Sequence, residues 1–475
     1  MNPTIPSPTT AKQIQTIQWI LNPTGYMQAN QKRYGDLFRC RFAENMGSFN
    51  YMVSHPKMLQ TIFSQDTGKL FSAPGDLNEI LAPLLGYESV IMLGGASHRN
   101  RRQLLMPKFH GKILESYAKD IKEIALTTLS QWTDGGIIDV RTAMQKITME
   151  VILRIVFGLR ESERYQALDL LLSRRVNMTA TPITSAMLFL PWLGRDVGPW
   201  SPGARANRLA DAADALIFAE ISERRSRPTE SRSDVLSLLL SAKDEEGNGL
   251  TDQELRDELI TLLFAGHETT ATALTAALYW LHCGAVEKVD SRVLCTLREE
   301  LDGLEQGSDA PSLVKLPYLA AVCQEALRIH PVAMLTFPRR VKEPVQCGGF
   351  ILSPGDIVMG SIYLLHRRED LYPNPRKFLP ERFINRQFTP YEFMPFGAGV
   401  RRCIGASLAQ YELSIVLGTL LGHLDFNLVN SRPVGQARRG VTLGFDSPVR
   451  LRHQARRRPL LPPFTPSPQP LSPAV

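Results

Sequence analysis

Along most of the chain apolar residues recur at helical spacing. Ile14, Ile17, Ile20 and Leu21 share one face of a first helix that should end near Asn22-Pro23. Leu114, Ile121, Ala125 and Leu129 mark a core helix within residues 112–132, and Ile147, Val151 and Ile155 mark another within 141–158. Residues 211–227 read as a charged surface helix, followed by a polar connector, 228–234. The longest run opens on Thr251-Asp252-Gln253-Glu254, a capping box, and continues without proline to about His282, which predicts one helix of ~48 Å. A further helix, 317–330, stops at Pro331, and Leu408, Leu413, Ile415 and Leu421 mark the last one.

Strand patterns are fewer. Residues 37–42 and 51–53 predict a hairpin around Gly47-Ser48. Residues 345–351 and 357–362 predict a small sheet with turns at Gly348-Gly349 and Pro354-Gly355, and a final hairpin runs through Gly440-Val441-Thr442-Leu443. This mix speaks against an all-α bundle. Two apolar stretches are irregular. Residues 71–92 carry Pro74, Gly75, Pro83 and Gly86 among Leu77, Ile80, Leu84 and Leu85, as binding loops do. Residues 179–202, centred on Met187 to Leu193, read as a buried loop or as a patch that touches a membrane.

Composition narrows the class. With 475 residues, 44% of them hydrophobic, the chain can bury a large core, and length alone would suggest more than one domain. The cysteines, Cys40, Cys283, Cys295, Cys323, Cys347 and Cys403, form no CxxC pair, so neither a disulfide framework nor a zinc or iron–sulfur site is indicated, and a reducing cytoplasm fits. No secretory leader is expected, and no window approaches the ~20 apolar residues that span a bilayer. The net charge of +7 equals the excess carried by residues 432–475 alone, where eight arginines face the single acid Asp446. Basic residues crowded beside a proline-rich tail, 459–473, do not make a nucleic-acid face.

The chemistry concentrates around Cys403. In Phe396-Gly397-Ala398-Gly399-Val400-Arg401-Arg402-Cys403-Ile404-Gly405 the glycines allow positive φ and close approach of a flat object, and a helix starting after the sulfur points its amides at it. Both effects favour thiolate over thiol. Arg401 and Arg402 add an arginine fork suited to a carboxylate. Upstream, His98 and Arg102 are four apart and can grip one anion from a helix face. In the middle of the long helix, Ala265-Gly266-His267-Glu268-Thr269-Thr270 places a glycine and β-branched residues against their propensity, which tends to mark function. Glu325 and Arg328 share a helix face, and Arg382 follows in Phe378 to Phe383.

The loop resembles the haem-binding loop of the cytochrome P450 superfamily, with Phe396, Gly399, Arg401, Cys403 and Gly405 at every position of that pattern. The other motifs follow in the family's order from about residue 30 to 455. The resemblance implies a single large, mainly α domain with a small β region, 30–455, preceded by a lead-in and first helix, 1–29, and followed by a disordered tail, 456–475. It implies haem b bound through Cys403, propionates met by His98, Arg102 and Arg339 (or Arg340), and an oxygen groove at Ala265, Gly266, Glu268 and Thr269. Glu325, Arg328 and Arg382 would hold the haem loop. The implied reaction is insertion of one atom of O2 into an apolar substrate, a fatty acid first and a terpenoid or other natural product second. Glu268-Thr269 argues against a peroxide-using relative, and Thr269 against an isomerase or dehydratase; a haem sensor or electron carrier would need no proton relay. Electrons would come from a separate ferredoxin or flavodoxin with its reductase, docking on Arg401 or Arg402.

Overall fold

The structure, a computed structural model, describes residues 4–41, 50–158, 163–178, 182–190, 195–227, 234–243, 247–287, 289–305 and 308–457. The turn expected at Gly47-Ser48, Trp192 of the apolar stretch and the tail beyond Arg457 lie outside them.

The chain opens with α1 (Lys12–Leu21) and α2 (Pro23–Tyr34). The reading of the sequence stopped at Pro23, but proline is tolerated at a first helical position, and the Asn22 side chain accepts from the Gly25 amide. Trp19, Tyr26 and Met27 are buried with Phe38, Met52 and Leu443, so the boundary expected after residue 29 falls inside a packed helix.

Strands β1 (Leu37–Cys40) and β2 (Asn50–Val53) pair antiparallel as expected. Together with β3 (Phe71–Ser72), β4 (Arg339–Val341) and β5 (Ile357–Gly360) they make a five-stranded sheet in the order β1-β2-β5-β4-β3, in which β2 and β5 run parallel. Helix α3 (Pro56–Phe63) covers it, with Leu59, Ile62 and Phe63 buried. The last hairpin, β6 (Gln436–Arg439) and β7 (Thr442–Phe445), turns at Gly440 with φ +61°.

The helical layer contains α4 (Gly95–Leu105), α5 (Ile113–Ser130), α6 (Val140–Phe157), α7 (Glu163–Asn177), α8 (Pro182–Phe189), α9 (Pro202–Ser226), α10 (Asp252–His282), α11 (Pro317–Ile329) and α12 (Ala406–His423). The capping box of α10 forms, with Thr251 and Glu254 reciprocally bonded. Its 31 residues are buried on nearly every side, against α6 above all and also against α9, α11 and α12. It lies in the core although it carries Arg256, Asp257, Glu258 and Glu268, because each of these is buried with a partner of opposite charge. Among the described residues no helix is long and apolar enough to cross a membrane.

Candidate functional site

The cysteine loop is held by its own backbone and by one acid. The Cys403 amide donates to the Phe396 carbonyl at 2.9 Å, and Gly397 and Gly399 adopt φ of +67° and +66°. A Cβ on Gly399 would come within 2.1 Å of Asp66. That carboxylate accepts from the Val400 amide at 3.1 Å and from Arg339 Nε at 2.7 Å, so it ties the loop to β4. Gly405 precedes α12, and a Cβ there would meet no atom within 4 Å.

Cys403 is exposed, yet desolvation is the main influence on its thiol, so the space it faces lies inside the protein. Burial raises the pKa of the sulfur above the ordinary thiol value, and the Gly405 amide, Arg102 and Arg402 only oppose this. The Gly405 amide and the two arginines thus act toward the thiolate, as the sequence suggests, but burial outweighs them.

Beside the sulfur lies a cluster of cations. His98 of α4 is buried, and its pKa falls to about 3, chiefly by desolvation and then by the charges of Arg401, Arg102 and Arg339. Arg102 reaches the Arg402 carbonyl with Nη1 at 2.7 Å. Asp66 is the acid that offsets Arg339 and Arg401. A buried spot with this much positive charge and one carboxylate suits an anion.

The arginines differ from expectation. Arg339 is fully buried and already engaged, by Asp66 and by the carbonyls of Phe337, Pro338 and Ala398, whereas Arg340 pairs with Asp76 near the surface. Of the two, Arg339 belongs to the cluster. Arg401 is buried and donates to the carbonyls of Ala73, Val90, Ile91 and Leu93. It clamps the 71–92 segment and is no docking residue; Arg402 is the exposed one.

On α10, Ala265 is exposed although the turns on either side are largely buried, which marks a second wall of interior space. Thr269, one turn on, donates its hydroxyl to the Ala265 carbonyl. The helix stays α-helical throughout, and the threonine bonds back onto it. Glu268 is buried, its oxygens taken by Arg141 at 2.6 Å and Gln145 at 2.7 Å, with Arg439 Nε at 3.8 Å. Gly266 does not face the site. A Cβ there would sit 2.7 Å from Ile152 Cδ1, so this glycine lets α6 approach α10. A small cavity lies nearby, lined by Leu84, Met149, Leu172, Ile260, Leu263 and Phe264 with Arg175 and His267. Both ring nitrogens of His267 are buried without a partner.

The Glu325–Arg328–Arg382 group forms as expected. Arg328 meets both Glu325 oxygens at 2.7 and 2.8 Å and the carbonyls of His366, Pro375 and Lys377, while Arg382 Nε reaches Glu325 at 3.2 Å. Asp66, Arg141, Gln145 and Arg439 were not singled out in the sequence. They are isolated polar residues without spacing to one another, so only the fold brings them to the site.

A family model described as Cytochrome P450 matches residues 3–444. Cytochrome P450 135B1 of Mycobacterium tuberculosis strain H37Rv is 34% identical over 438 residues, covering 89% of this chain and 85% of that one. Cytochrome P450 138 of the same organism is 32% identical over 418 residues, 87% of each chain. Among solved structures, the retinoic acid bound cyanobacterial CYP120A1 superposes with a TM-score of 0.80 at 25% identity, over 96% of this chain and 100% of that one.

Proposed function

The chain belongs to the cytochrome P450 family and is a haem-thiolate monooxygenase, and we propose that Cys403 is its iron ligand, Glu268 and Thr269 its proton-handling pair, and an apolar chain compound its substrate. The observation that carries this is the sulfur: exposed to interior space, embedded in protein, and set beside a glycine with open room. The residues present fit a haem. A soft thiolate suits iron, Gly405 leaves room for a flat macrocycle, and Arg102 beside the neutral His98 suits a propionate, with Arg339 behind them in the scaffold.

When bound, the haem supplies the redox chemistry that activates O2 and transfers one oxygen atom to the substrate. The rest falls to side chains. Cys403 would hold the iron as a thiolate and supply it with electron density. Glu268, held by Arg141 and Gln145 with Arg439 close by, would supply protons toward the Thr269 hydroxyl. Thr269 orients that hydroxyl by its bond to Ala265.

A fatty acid is the first reading of the substrate and a terpenoid the second. The retinoic acid of the cyanobacterial neighbour is an isoprenoid that ends in a carboxyl group, so it shares its carboxylate with the first and its skeleton with the second. A ferredoxin or flavodoxin with its reductase supplies electrons, and the exposed Arg402 favours an acidic partner. Incubation with a surrogate ferredoxin system, NAD(P)H, labelled O2 and a panel of long-chain acids and terpenoids tests this. One labelled oxygen per product is expected with an acid; product from terpenoids alone would overturn the fatty-acid reading. Thr269→Ala should leave NAD(P)H consumption intact while peroxide replaces product, and unchanged coupling would refute its role.

A further inference from the structure

Arg438 is a buried cation that the site described above does not use. It lies on β6 opposite Leu443 of β7 and is 1% exposed. Its Nη2 donates to the Trp19 carbonyl at 2.9 Å and its Nη1 to the Gly440 carbonyl at 3.3 Å, while Nε has no partner. A guanidinium has five N–H donors, so much of its capacity is unanswered. Burial alone, with no acidic neighbour opposing it, draws its pKa down to about 9. The rings of Trp19 of α1 and Phe189 of α8 lie 4.8 and 4.7 Å from its guanidinium carbon. Such contacts recover only part of the cost of burying a charge without a counter-charge.

Its position points to a use. The next residue, Arg439, lies against Glu268 of α10, and successive strand residues face opposite ways, so Arg438 stands across the thickness of one strand from the acid of the site. The hairpin is also tied to the segment after α11, with Leu443 donating to the Val332 carbonyl at 2.8 Å. Above Arg438, the outer face of α1 carries the exposed Ile14, Ile17 and Leu21, an apolar rim. Aromatic rings cover the flat of the guanidinium, and on one edge the N–H of Nε is left without a partner. A planar carboxylate fits such an edge, and its single charge neutralises the arginine.

We infer that Arg438 anchors the carboxylate of an apolar acid, holding one end of the chain beneath α1 and α8. This rests on the apolar-substrate reading above and names the group by which the substrate is recognised.

Calorimetric titration of the haem-loaded protein with dodecanoate, methyl dodecanoate and butanoate tests it. Charge-assisted hydrogen bonds discriminate strongly, so dodecanoate should bind roughly tenfold or more tighter than its ester. Butanoate, with the charge but no chain, should bind far more weakly than dodecanoate; equal binding would mean a site for small anions and overturn the substrate anchor. Arg438→Met should abolish the preference for acid over ester, and Arg438→Lys, which keeps the charge without the fork, should retain part of it. Equal affinity for acid and ester in the unaltered protein, or an undiminished preference in Arg438→Met, overturns the proposal. Should Arg438→Met fail to fold, the unaltered protein and Arg438→Lys still decide, since acid affinity must drop in the lysine variant while ester affinity holds. Acid preference in a protein that yields no oxygenated product would sink the monooxygenase chemistry and leave the anchor standing; equal binding in an active enzyme sinks the anchor alone.

Discussion

The scaffold beneath the cysteine loop and the interior face around it are both rich in buried arginine, and they differ in what those arginines meet. In the scaffold, Arg328 finds Glu325 and three carbonyls, Arg339 finds Asp66 and three carbonyls, and Arg401 is bound by carbonyls of the 71–92 segment. On the interior face, His98 sits among cations, Cys403 faces open space, and Arg438 keeps a bare Nε. A buried polar group that is answered by protein is accounted for as structure; one left unanswered needs an explanation of its own, a ligand among them. That distinction moves Arg401 from the docking surface to the scaffold.

The scaffold side breaks hardest. Arg328→Ala leaves Glu325 as a fully buried carboxylate short of a partner, which should cost about 3–5 kcal/mol. Little folded, haem-loaded protein is expected by melting and absorbance, and a melting temperature close to that of the unaltered protein would contradict the scaffold role. Acid comes next. Burial holds His267 near 4 and His330 near 3, below the ordinary value of 6.5. Below pH 6.5 the unfolded chain therefore binds protons that the folded chain refuses, so stability present above that pH is lost as pH falls toward 4. The unfolding equilibrium should shift by roughly tenfold per pH unit for each such group, and a melting temperature flat from neutral pH into this window would refute it.

Smaller effects sharpen the boundary between the two regions. Gly266→Ala should cost about 1–3 kcal/mol through the clash with Ile152, and Ile152→Val should recover part of it, with haem content unchanged. Lost haem at unchanged stability would return Gly266 to the site. Arg402→Glu should leave stability alone and slow reduction by an acidic ferredoxin severalfold at low salt; a rate independent of salt in both forms would remove it from docking.

Much of this was legible in the sequence because it depends on local rules. The capping box at Thr251, the proline stop at Pro331, the glycine loop before α12 and the i, i+3 pair Glu325–Arg328 all form where their residues require. Three features were not legible, for separate reasons. Pro23 starts a helix as easily as it ends one, so α2 was missed. A mid-helix glycine reads the same whether a ligand or Ile152 faces it. The partners of Glu268 and Arg339 come from α6, β6 and the turn after α3, distant in sequence and brought together only by packing.

The central claim is that the sulfur of Cys403 is the iron ligand. The ferrous protein under carbon monoxide should show the strongly red-shifted Soret band of a thiolate ligand, and Cys403→His should lose that band while keeping the helical content of the fold. Survival of the band in Cys403→His, or its absence from the unaltered haem-loaded protein, would contradict the account.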